Sequence, residues 1–316
     1  PTAIPATRAT DLPRLYTTLT KARLSTLVVV TTFVGFLMAS GTDIDWWMLL
    51  FTVSGTMACS LSANALNQVF ETRRDGLMDR TRNRPTPSGA LSTRHAFVFA
   101  VILGYGGLVI LGLLVNLYAA GLAILTMLLY LLAYTPLKPV STLNTIVGAI
   151  VGGIPPMIGW VAVRDMLEVQ AWILGGILFV WQLPHFLALA WIYRDQYAGA
   201  GFRMLPGTPG GDTITGETVL LTTILLIPLG LAVTLSGMAG TIYASVSVLA
   251  GLGFIWKSFQ FFRSPSLATA RGTFFYSLLY LPIILTAMAL NRQLVPEAEM
   301  MNLDLNPRAA QPTNAP

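Results

Sequence analysis

The residues best suited to chemistry stand four apart: Asn67, Glu71, Asp75 and Asp79. On a helix a four-residue step drifts by only about 40° per repeat, so the four share one stripe. Stacked carboxylates repel one another and weaken a helix. A bound divalent cation removes that penalty, and oxygen-only ligands suit Mg²⁺, which keeps several waters and coordinates substrate phosphates. Basic residues interleave with the acids: Arg73, Arg74, Arg80, Arg82 and Arg84. Arg80 and Arg84 are placed to fork onto diphosphate oxygens. Pro85 and Pro87 are expected to stop the helix, with Gly89 in a turn.

Two further segments carry polar groups beside apolar runs. One reads Trp181-Gln182-Leu183-Pro184-His185-Phe186, followed by Tyr193-Arg194-Asp195-Gln196-Tyr197 and Met204-Leu205-Pro206. His185, one of 2 histidines, lies in or near an apolar span beside a proline. Ionisable groups at such depth are costly and usually functional. His185 is suited to ligating iron, carrying a proton or bonding to a neighbouring helix. His95, at a loop-helix boundary, reads as structural or interfacial. The other segment is Tyr134-Thr135-Pro136-Leu137-Lys138, whose single cation fits either a phosphate or a topological signal. Beyond it, Gly148, Gly152, Gly153, Pro155, Pro156 and Gly159 allow close helix approach or a break beside a cavity. The run Pro206–Gly211 is glycine-rich without an evident purpose.

The elements that must position these residues follow from composition. Of 316 residues, 54% are hydrophobic and only 10% charged, against about 25% charged in soluble domains. The bilayer is the natural solvent for such a chain. Apolar runs fall near 25–40, 46–66, 96–115, 118–134, 144–163, 171–192, 218–236, 239–256 and 274–291, each close to the roughly 20 residues that a crossing requires. The expected fold is all-α and polytopic, about nine transmembrane helices around a central cavity. Residues 1–20 form a polar N-terminal segment, 21–292 the transmembrane domain, and 293–316 a polar tail expected to be disordered. Residues 1–20 lack a long apolar run, so no cleavable signal peptide is expected.

With the N-terminus inside, every Lys and Arg of the 19 except Arg164, Arg292 and Arg308 falls on the inner side. The positive-inside rule therefore places the N-terminus inside and the C-terminus outside. The net charge of +5 reports topology and calls for no nucleic-acid partner. A lone cysteine, Cys59, excludes an internal disulfide and a cysteine-built metal site, and reads as a packing residue.

Taken together, these motifs resemble the UbiA-type intramembrane prenyltransferases. Asn67, Glu71 and Asp75 match that family's first acidic motif. More narrowly the chain resembles the protoheme IX farnesyltransferases (heme O synthases), through Asp79-Arg80-Thr81, Arg84-Pro85, Tyr134–Lys138, Gly152–Trp160, Trp181–Phe186 and Met204–Pro206. The resemblance implies a prenyltransferase that joins the farnesyl group of farnesyl diphosphate to a vinyl group of heme b, adding water and releasing diphosphate. It implies Mg²⁺ on Asn67, Glu71 and Asp75, with Asp79 and His185 also catalytic. Arg80, Arg84, Lys138 and Arg194 would bind diphosphate, and His185 could ligate the heme iron. The family's second acidic motif is reduced here to Asp195, flanked by Gln196 and Tyr197, which puts a second Mg²⁺ in question. A downstream heme A synthase is an implied partner. The expected membrane is the bacterial inner membrane, with the mitochondrial inner membrane the alternative. The rival acceptor is a quinone or other aromatic precursor, and the rival class is a transporter.

Overall fold

The structure is a computed structural model, and it describes residues 12–294. The expected tail, 293–316, therefore lies almost wholly outside the described residues, as does most of the segment 1–20. Among the described residues nine helices are long and apolar enough to cross a membrane. A short helix α1, Leu12–Leu19, precedes α2, Ala22–Ala39, and α3, Trp46–Asp75. There follow α4, Thr93–Leu114, and α5, Leu117–Leu128, which runs through a π-helical stretch, Leu129–Tyr134, into the short α6, Thr135–Leu137. The second half holds α7, Asn144–Arg164, α8, Val169–Ile192, and the short α9, Arg194–Gly199. It ends with α10, Gly211–Leu235, α11, Thr241–Arg263, and α12, Leu267–Leu290. The architecture is all-α; the described residues contain one isolated bridge, Ala239 to Arg292, and no sheet.

Local sequence explains where the helices begin. Asp45 caps α3 by accepting from the Met48 amide at 2.9 Å, and Asn116 caps α5 by accepting from Ala119 at 2.8 Å. Asn116 also donates to the Val161 carbonyl at 2.7 Å, pinning the tight α4–α5 hairpin to α7. Ser266 and Thr269 form a capping box at the start of α12.

Small residues decide how closely the spans approach. A side chain at Gly35 would collide with the Pro156 backbone, and one at Gly159 with Thr32 and Phe36, so α2 and α7 meet backbone to backbone. Gly153 and Gly175 do the same for α7 and α8. The glycine and proline cluster of α7 thus serves packing on two sides. A third face, with Gly148, Val151, Pro155 and Ile158, is turned to a cavity. That cavity lies among α2, α3, α5, α7 and α8, with its polar end where α3 finishes and the loops after α3, α6 and α8 converge. Large apolar side chains such as Leu27, Trp46, Ile102, Leu117, Leu221 and Leu249 cover the outside of the bundle. Such a surface is stable only against lipid, and the chain is an integral membrane protein.

Candidate active site

The cavity holds about 470 Å³. Its deep part is apolar, lined by Leu24, Val28, Ala63, Met127, Ile158 and Phe186 among others, and its mouth is polar. Three consecutive turns of α3 bring Asn67, Glu71 and Asp75 to that mouth, and all three are buried. The stripe is as the four-residue spacing requires, up to Asp75.

Each residue of the stripe is met by a cation from a different part of the chain. The Lys21 ammonium donates to Asn67 Oδ1 at 2.8 Å. Lys138 donates to both Glu71 oxygens, at 2.8 and 3.1 Å. Arg84 donates to Asp75 Oδ2 at 2.7 Å. The Asn67 amide nitrogen donates to Thr135 Oγ1 at 3.1 Å, which fixes Oδ1 toward Lys21. Lys21 sits between α1 and α2 in the left-handed region, at φ 48°, a conformation that turns the chain back over the mouth. Burial lowers its ammonium to about 7, repulsion from Arg84 and Lys138 adds to this, and Glu71 and Asp75 oppose it. For Lys138 burial also works downward, but the Tyr134 oxygen and the Glu71 carboxylate outweigh it and hold the group above the ordinary lysine value. Lys138 lies over the Tyr134 ring at 4.5 Å from its centroid.

The π-helical stretch positions this corner. Its wider turn stacks Tyr130 on Tyr134, with centroids 5.3 Å apart, and both line the cavity. Tyr130 Oη lies 3.5 Å from Lys21 Nζ and donates to Asn64 Oδ1 at 3.4 Å. Across the mouth, Arg80 lies over the rings of Tyr193 and Tyr197, 5.2 and 5.7 Å from their centroids, and donates to Tyr197 Oη at 3.2 Å.

Several expectations need correction. Asp79 does not continue the stripe, because α3 ends at Asp75 well before Pro85. The Asp75 carbonyl accepts from Thr81 Oγ1 at 2.7 Å, and the chain folds back on itself. Asp79 is exposed and sits 3.3 Å from Arg82. His185 does not line the cavity. Its ring faces α12, stacked between Trp181 and Phe274 with centroids 5.1 and 4.9 Å away. Ser277 donates its hydroxyl to the Phe274 carbonyl at 2.6 Å, so it accepts from His185 Nδ1 at 2.8 Å, an interhelical bond. Arg194 also lies outside the main cavity, stacked on Trp191 at 4.1 Å. Of the second polar loop only Tyr197 reaches the mouth; the Asp195 carboxylate is 95% exposed, and Gln196 Oε1 is buried without a partner. Cys59 packs as expected but also lines the cavity. His95 shares a hydrogen bond of 2.7 Å with Tyr16 Oη, away from the cavity. The residue that sequence reasoning passed over is Lys21, counted only as a topological charge; its position one residue before the first span was the available signal.

Among the described residues no group of three His, Cys, Asp or Glu side chains gathers to hold a metal. Two carboxylates and one amide oxygen do gather. An incomplete all-oxygen set on one helix face, open to a cavity, fits a magnesium ion that keeps waters and takes its remaining ligands from a phosphate.

An apolar chamber within a nine-span bundle, with carboxylates and cations at its polar mouth, defines a membrane-embedded enzyme for an amphiphile with an anionic head. The UbiA prenyltransferase family matches residues 28–279, and the chain belongs to that family, which makes it a prenyltransferase. Among its relatives, the mitochondrial protoheme IX farnesyltransferase of Arabidopsis thaliana is 40% identical over 92% of this chain and 69% of its own length. The protoheme IX farnesyltransferase of Koribacter versatilis is 37% identical over 92% of this chain and 97% of its own. Solved structures share the fold. A digeranylgeranylglyceryl phosphate synthase superposes with a TM-score of 0.76 at 19% identity, covering 88% of this chain and 97% of that one. A UbiA homolog from Archaeoglobus fulgidus, bound to GPP and Mg²⁺, gives 0.66 at 11% identity, covering 87% and 99%.

Proposed function

We propose that this protein transfers the farnesyl group of farnesyl diphosphate to a vinyl group of heme b, with addition of water, yielding heme O and diphosphate. The observation that carries the reading is the paired column at the mouth: Asn67, Glu71 and Asp75, each opposed by a cation, above an apolar chamber. Support for heme as acceptor comes from relatives named protoheme IX farnesyltransferase that match nearly the whole chain.

Asn67, Glu71 and Asp75 would hold Mg²⁺, which when bound supplies charge neutralisation to the diphosphate. The remaining work falls to the chain itself. Arg84, Lys138 and Lys21 turn from their protein oxygens to the phosphate oxygens and stabilise the charge that builds as the carbon–oxygen bond breaks. Arg80 closes the mouth from the Tyr193–Tyr197 side. The prenyl chain lies in the apolar chamber, where Tyr130 and Tyr134 present ring faces to the developing allylic cation, an interaction worth about 2 kcal/mol when desolvated. Exclusion of bulk water protects that cation until the vinyl carbon attacks. One water then adds, its oxygen becoming the hydroxyl and its proton leaving. The active end faces the cytoplasmic side of a bacterial inner membrane, N-terminus inside, and the product suits a downstream heme A synthase.

The test is a product assay on purified protein with labelled farnesyl diphosphate and Mg²⁺, offered heme b or hydroxybenzoate. Label in heme O supports the proposal. Label in hydroxybenzoate alone assigns the acceptor to the quinone precursors instead.

A further inference from the structure

A second cavity of about 300 Å³ opens at the same end of the bundle, lined by Arg194, Ala198, Phe202, Arg203, Met204, Gly207, Thr208 and Pro209. Its chemistry differs from that of the main mouth: two arginines contribute to its lining, and no aspartate or glutamate does. Arg203 donates to the Val140 carbonyl at 3.3 Å through Nη1, and no acidic partner of it stands among the salt bridges of the described residues. Arg194 is spread on Trp191, donates to the Trp191 carbonyl at 3.2 Å through Nη1, and touches the exposed Asp195 only at 4.0 Å. Both forks therefore keep donors to spare.

Phe202 and Met204 line both cavities and form the wall between them. That wall is fastened to the diphosphate corner: the Arg203 amide donates to the Lys138 carbonyl at 2.7 Å, and Asn144 donates to the Arg203 carbonyl at 2.9 Å. The glycine-rich run supplies the outer side. Leu205–Gly207 forms a single 3₁₀ turn, Thr208 donates its hydroxyl to the Leu205 carbonyl at 2.8 Å, and Gly210 at φ +73° turns the chain into α10.

We infer that the Arg194–Arg203 cavity is the subsite for the two propionate carboxylates of the porphyrin acceptor. This rests on the proposed farnesyl transfer to heme and names where the acceptor is held. The diphosphate already has Lys21, Arg84 and Lys138 in the main cavity. The anionic groups left in the reacting pair are the two carboxylates, carried on the part of the macrocycle away from the reacting vinyl group. Two guanidinium forks match two carboxylates in number and shape. A ring anchored there reaches past the Phe202–Met204 edge that the two cavities share, with its vinyl edge at the mouth of the chamber, next to the prenyl carbon.

The test is an absorbance titration of the full-length protein in detergent with heme b and with its dimethyl ester, on wild type and the double variant R194Q/R203Q. Each single variant is included in case the pair fails to fold. Inorganic pyrophosphate binding in the presence of Mg²⁺ serves as the fold control and stays unchanged. The expected result is a Kd for heme at least tenfold weaker in the double variant, with KM for heme raised and kcat largely kept. The ester binds wild type and variant equally. Heme affinity that is the same in wild type and variants, with pyrophosphate binding intact, overturns the subsite while leaving farnesyl transfer standing. A wild type that neither binds nor farnesylates heme overturns both.

Discussion

Replacing Lys138 with Met leaves Glu71 buried, 5% exposed, with its two short contacts gone. Removing one partner of a buried ion pair costs about 3–5 kcal/mol. Lys138→Met is therefore expected to lose about that much. Adding Glu71→Gln removes the stranded charge and restores most of the stability while leaving the enzyme inactive. Unfolding of all three proteins in detergent measures this. A Lys138→Met protein as stable as wild type, or a double variant no more stable than the single one, would refute the reasoning.

Three other outcomes follow from the site. Asp75→Asn keeps the shape of the stripe but halves the charge facing a metal; diphosphate release should fall by about 10²–10³, and undiminished release removes Asp75 from the machinery. Because each stripe residue is already held by a cation, Mn²⁺ alone should bind weakly and tighten at least tenfold when inorganic pyrophosphate receives the displaced ammonium and guanidinium groups; electron paramagnetic resonance of free Mn²⁺ reads this, and equal affinities with and without pyrophosphate contradict it. His185→Phe should preserve the stack between Trp181 and Phe274, lose about 1 kcal/mol for the Ser277 bond, and leave both turnover and the bound-heme spectrum unchanged. A shifted spectrum would make His185 an axial ligand.

Much of the fold was legible because a bilayer imposes a length. The nine apolar runs matched nine helices, and only their ends moved, as where α10 begins at Gly211 rather than at 218. The column Asn67–Glu71–Asp75 was legible because helical periodicity is a local property. What was not legible depends on contacts between distant residues. Lys21 lies 46 residues from Asn67, and nothing local separates a cation that serves a site from one that sets topology. Asp79 kept the four-residue step in a segment where the helix had already ended, since Thr81 captures the Asp75 carbonyl in a turn. His185 looked functional because an imidazole in an apolar span is costly, and that cost is met by Ser277 on a helix 92 positions away.

The widened turn at Leu129–Tyr134 carries one residue more than a regular helix would. Deleting one residue in it would restore an ordinary spiral and leave the turns on either side facing almost as before, because the wider turn absorbs the extra residue. Lys138 would still face Glu71. Members of the family that keep this ion pair are therefore free to differ by one residue in this stretch.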